Sequence, residues 1–148
     1  MMEPIVFLWL TLGITAAAAA GQWALYYRRQ RALRMLASLW HMHFSADDRF
    51  RLAQRVAPRL RDIGAADVRA WNLLYSADAG RRGYLFTLEY EIGTIGSQRR
   101  RRCVAMLDEP AASEAGRSEA DSHFAVAPEN LPLMEQYHHL HQMRGSFT

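Results

Sequence analysis

The chain opens on a stretch with no charged position, "IVFLWLTLGITAAAAAGQWALYY" at 5–27. A helix of that length reaches roughly 34 Å, against a hydrocarbon core of about 30 Å. Backbone groups in lipid must find partners within their own segment, so the pattern predicts one transmembrane helix. Trp23, Tyr26 and Tyr27 fall at its C-terminal edge, where amphipathic rings favour the interface. A cleaved signal peptide is the rival reading. Against it, "MMEP" carries no Lys or Arg, and the apolar run exceeds the usual h-region of about 7–15 residues.

Beyond the span the apolar positions keep helical spacing at Leu33, Leu36, Leu39 and Trp40, so the helix is expected to continue. A second helix is expected within "FSADDRFRLAQRVAPRL" (44–60), with Ser45 as N-cap and Asp48 three residues on. Phe50, Ala53, Val56 and Leu60 form its apolar stripe, and Pro58 ends or bends it. The period then changes to two. "VRAWNLLY" (68–75) places Trp71, Leu73 and Tyr75 on one face. "YLFTLEYEI" (84–92) alternates most cleanly, and "RRRCVAMLDE" (100–109) follows after the turn residues of "GTIGSQ". "PAASEAGRSEADS" lacks large apolar residues and reads as a flexible loop. "HFAVAP" reads as a short strand and "NLPLMEQYHHLHQM" as a helix presenting Leu133, Tyr137 and Leu140.

The predicted fold class is α+β: an N-terminal transmembrane helix, then a small domain with a three- or four-stranded antiparallel sheet and helices covering one face. The expected divisions are an anchor at 1–29, an α+β domain at 30–109, a flexible loop at 110–122, and a short strand with a C-terminal helix or tail at 123–148.

The order of basic flank, "LASLWHMHFSADDRF", aromatic "LLY" strand, "YLFTLEYEIG", basic strand and "VAML" resembles a family of bacterial membrane-anchored proteins of unknown function. The likeness covers roughly 30–108. It implies an inner-membrane setting and a small α+β module, and brings no activity with it.

Charge refines this picture. All 18 basic residues are arginine, and formal net charge is +3. Arg28, Arg29, Arg31 and Arg34 flank the C-terminal end of the span and none precedes it. The positive-inside rule then puts the N-terminus outside and the domain in the cytoplasm. These arginines are also candidates for contact with anionic phospholipid or an acidic partner. So are Arg99, Arg100, Arg101 and Arg102, which a strand would divide two to each face, with Glu89 and Glu91 as cross-strand partners for one pair. A nucleic-acid interface would want a broader basic surface with exposed aromatics, so nucleic acid is not the expected partner. Gly13, Ala17 and Gly21 share a helix face on which another transmembrane helix could pack, giving a homo-oligomer or a docked membrane protein.

Candidate chemistry is sparse. The chain has no GxSxG, no P-loop and no GxGxxG after a strand. Asp47 and Asp48 suit a helix N-terminus better than an acid pair, since neighbouring helical residues point about 100° apart. Cys103, alone of its kind, falls in a predicted strand as a buried thiol. His41/His43 and His138/His139/His141 have spacings compatible with metal ligands, without an HExxH or a cysteine set to join them. No catalytic residue, metal or cofactor is assigned. The leading expectation is a non-catalytic single-pass membrane protein whose domain contacts another protein or the membrane surface. The alternative is a membrane-tethered enzyme or metal-responsive sensor using the histidines.

Overall fold

A computed structural model describes residues 4–78, 80–94, 96–111 and 122–146. The uncharged segment and its basic extension form one unbroken helix, α1 (Pro4–Leu39), 36 residues long and about 54 Å from end to end. Its apolar window is long and hydrophobic enough to cross a membrane, and none of that window is buried. His41 then adopts a left-handed conformation (φ 54°), and the Met42 N–H donates back to the Ala37 carbonyl at 2.8 Å. The chain reverses into β1 (His43–Ser45), followed by α2 (Leu52–Leu60), a 3-10 turn at Arg61–Ile63, and β2 (Ala65–Asp78). After these come β3 (Arg81–Ile92), β4 (Arg99–Pro110), β5 (His123–Val126) and α3 (Leu133–Gly145).

The strands form a single antiparallel sheet in chain order, β1-β2-β3-β4-β5. Five strands replace the expected three or four, because 43–45 is an edge strand rather than the approach to a helix. That edge is stabilised by Phe44, which lies opposite Leu74 and packs on the apolar cluster beneath α1. The second helix accordingly starts at Leu52, and Ser45 is not its cap; the Ser45 hydroxyl donates to the Asp47 carbonyl instead. Asp48 does the capping, its two carboxylate oxygens accepting from the N–H groups of Leu52 (2.7 Å) and Ala53 (2.9 Å).

Both faces of the sheet carry helices, where one covered face was expected. On one side Leu33, Leu36 and Ala37 of α1 pack with Tyr137 and Leu140 of α3 over Leu74, Leu85, Val104 and Met106. On the other, Leu52, Val56 and Leu60 of α2 pack on Leu73, Tyr84, Phe86, Leu88 and Cys103. The extra cover comes from α1, whose last turns enter the core and bury the second face of β3. Gly83 through Tyr90 are therefore buried without a break.

β2 also departs from simple alternation. Its pairing with β3 slips at two places, beside Asp67 (φ 46°) and Asn72 (φ 51°). Each slip inserts an extra residue, a β-bulge, which reverses the facing of what lies beyond it. Trp71 thus pairs with Thr87 and shares the α1/α3 face with Leu74, while Leu73 and Tyr75 face α2. The expectation that Trp71, Leu73 and Tyr75 lie together fails for this reason. The Asn72 bulge is held on both sides: its N–H donates to the Ala46 carbonyl at 3.0 Å, and its carbonyl accepts from the Tyr137 hydroxyl at 2.7 Å. Of the expected loop 110–122, all but its ends lies outside the described residues; Pro110 closes β4 opposite Arg81.

Candidate interaction surfaces

The arginine run sits at the start of β4, where helical cover of the α1/α3 face gives out and charge takes over. Arg102 lies opposite Glu89 and Arg100 opposite Glu91. Arg102 donates to Glu89 through Nε (3.1 Å) and Nη2 (2.8 Å), and Arg100 does the same to Glu91 (3.2 and 2.8 Å). Arg100 also approaches the other oxygen of Glu89 at 3.6 Å. Glu89 is itself buried, so its charge is met from two sides. Because the Asn72 bulge turned it over, Trp71 joins this array, with the Arg102 guanidinium 5.4 Å from its ring centre. Arg69 and Asp67, bonded at 2.8 Å, extend the array along β2. The result is a neutral ladder of alternating charges across three strands.

The opposite face holds Arg99 and Arg101. Arg101 pairs with Glu129. Arg99 is exposed and has no acidic partner among the described residues. The four arginines therefore divide two and two, and three of them are engaged within the fold.

The arginines of α1 present a different picture. Arg28, Arg29, Arg31 and Arg34 are exposed and make no ion pair among the described residues. At about 100° per residue they lie on different sides of α1, forming a cationic collar that runs from the end of the apolar stretch into the first docked turn. Arg34 also places its guanidinium 5.6 Å from the centre of the Phe44 ring. Gly13, Ala17 and Gly21 are exposed on the apolar part of α1. Further along the same helix Met35 and Leu39 are exposed as well, turned away from the sheet.

The histidines are drawn into packing. Trp40, just after α1, stacks on the His141 ring (3.9 Å between centres, 6° between planes), and His138 meets the same indole edge-on at 5.1 Å. Partial burial lowers the pKa of His141 below its ordinary value, with smaller contributions from Arg144 and His138. His43 lies 5.2 Å from the Tyr75 ring. No three of the His, Cys, Asp and Glu side chains converge as a metal-ligand set among the described residues. A shallow groove of about 250 Å³ opens between α2 and the start of β2, but Ala53, Ala57, Ala65 and Ala66 make up half its lining.

Cys103 is fully buried, and burial pushes its thiol up to about 11. Against the ordinary value of 9.0, this lowers the thiolate fraction at neutral pH about 100-fold, and thiolate is the reacting species. Iodoacetamide is therefore expected to label native protein at least about 100-fold more slowly than unfolded protein, read by intact mass. Equal rates would mean that the β4 thiol is not sealed.

Sequence reasoning missed the role of Tyr137 in holding the bulge and the capture of Trp71 by Arg102, since both depend on a register slip that leaves no local signature. Comparison with protein-family models, with curated proteins and with solved structures returns no match to this chain.

Proposed function

We propose that this chain is a single-pass membrane protein whose α+β domain serves docking rather than catalysis, held on the cytoplasmic side close to the bilayer. One observation carries this: α1 is exposed and apolar over 5–27 yet buried in the domain core from Leu33. Only five residues separate Tyr27 from Leu33, a rise of about 9 Å along the helix, so the domain rides against the headgroups. Arg28, Arg29 and Arg31 fall within that interval and Arg34 directly follows it; the four suit anionic phospholipid, each cation near such a surface contributing about 1 kcal/mol. The paired ladder on β3 and β4 supports a shallow recognition face rather than a reactive cleft, and the partner envisaged is another protein or a second copy of this chain.

Alkaline extraction and protease protection of sealed membrane vesicles test both halves. The chain should stay with the lipid at high pH, and a C-terminal tag should resist protease added outside. Release into the supernatant overturns the span, and cleavage of the tag from outside overturns the orientation.

A further inference from the structure

On the α1/α3 face one row crosses the sheet near the Asp78 end of β2: Ser76 opposite Gly83, and Gly83 opposite Asp108. Ser76 and Asp108 are both more than nine-tenths buried. Arg81 donates from Nε to one oxygen of Asp108 at 3.1 Å, but the other oxygen, Oδ1, and the Ser76 hydroxyl have no partner among the described residues. Two buried acceptors left unmet on one row are costly unless something fills the space between them.

Gly83 marks that space. Its backbone is not in the left-handed region, so conformation does not demand glycine there, and glycine inside a strand otherwise weakens it. What demands it is the Arg144 guanidinium, whose Cζ, Nε and Nη2 occupy the position a Cβ would take. Arg144 reaches in from the last turn of α3 with its side chain largely buried. Yet among the described residues it makes no side-chain hydrogen bond, and its one ion pair there, to the exposed Asp78, is 4.0 Å long. Adjacent strands stand about 4.8 Å apart, so Ser76 and Asp108, on the two strands beside β3, lie about 10 Å apart and flank the space over Gly83. The unmet Asp108 oxygen is an acceptor and the Ser76 hydroxyl can accept as well, the floor is bare backbone, and Asp78 adds a second carboxylate at the rim. A flat cation with donors along its edge fits this better than a compact ammonium.

We propose that Ser76, Gly83 and Asp108, with Asp78 at the rim, form a binding slot for a guanidinium group, filled in this chain by Arg144. Because Arg144 draws no hydrogen bond from the slot, it is an exchangeable occupant, and its departure frees the C-terminal end of α3. This inference does not depend on the docking role proposed above.

The test uses full-length protein in detergent micelles. Arg144→Ala empties the slot, and methylguanidinium is then offered against methylammonium at equal concentration. At about 10 mM, methylguanidinium should raise the unfolding midpoint of Arg144→Ala by roughly 3–6 °C more than methylammonium does. Wild type, whose slot is full, should show about 1 °C or less, and Arg144→Ala combined with Asp108→Asn should lose the difference. Equal effects of the two cations on Arg144→Ala, or an equal response in wild type, overturn the proposal. If Arg144→Ala does not fold, Gly83→Ala replaces it, since the added methyl displaces a flexible side-chain end rather than backbone. Phenylglyoxal should then modify Arg144 about tenfold faster in Gly83→Ala than in wild type, as expected for a side chain moved from a buried slot into water. Unchanged modification overturns the proposal as well.

Discussion

Replacing Tyr137 with alanine is expected to cost about 3–5 kcal/mol, measured by denaturant unfolding of the full-length protein in micelles. Tyr137 is completely buried at the centre of the α1/α3 face. Its hydroxyl donates to the Asn72 carbonyl at 2.7 Å and accepts from the Thr87 hydroxyl at 2.9 Å, and burial raises its pKa above the ordinary value. The side chain therefore fills volume and satisfies the Asn72 backbone carbonyl at the second β2 bulge. Tyr137→Phe separates the two roles. It keeps the ring and leaves the Asn72 carbonyl and the Thr87 hydroxyl without that partner, which should cost about 1–3 kcal/mol. Trp71 fluorescence should shift in Tyr137→Phe too, because the bulge sets which face that ring occupies. A phenylalanine variant as stable as wild type would show that the hydroxyl does not hold the bulge.

The second large effect belongs to the junction between α1 and the sheet. Leu33 has no exposed surface and Met35, two residues on, is 68% exposed. Leu33→Ala should cost about 2–5 kcal/mol by the same unfolding measurement. Met35→Ala should stay within about 0.5 kcal/mol of wild type. Both changes shorten a long apolar side chain on one helix, so propensity cannot separate them and burial must. Comparable losses at the two positions would mean that α1 meets the domain by a different face. Hydrogen exchange in Leu33→Ala should rise first in α3, whose Tyr137 and Leu140 share the cluster with Leu33.

Much of this architecture is legible in the amino-acid pattern, for reasons that differ by element. The uncharged run at 5–27 and the spacing of Leu33 and Leu36 point to one long helix, because apolar length and period are local properties. The alternation of β3 is equally local, and the Glu89 and Glu91 partners of the arginines follow from hairpin pairing. The cap of α2 was misplaced because Ser45 and Asp48 are both good capping residues, and only the turn of the chain at His41 decides between them. That turn commits 43–45 to β1 and leaves Asp48 facing the helix start. The Trp71 error has a similar origin. An extra residue at Asn72 is invisible in a pattern of period two, and its stabilisation comes from Tyr137, 65 positions away. Covering both sheet faces required the end of α1 to take part in the core, which the apolar run of its first residues does not suggest. Gly83 did leave a local mark, a glycine inside an otherwise strong strand, but its meaning needed Arg144 from the end of the chain.

The unbroken course of α1 ties two rotations together. Gly13, Ala17 and Gly21 fall, at about 100° per residue, within the same 80° or so of helix phase as Met35 and Leu39. The docked residues Leu33, Leu36 and Ala37 centre about 150° away. No loop lies between to absorb torsion, so the azimuth of the sheet about the helix axis is fixed by residue count. One alanine inserted after Gln30 would swing the domain by about 100° and lower it by about 1.5 Å, and seven would return it to nearly its original heading. Whatever meets the apolar stretch of α1 thereby dictates which edge of the sheet it faces.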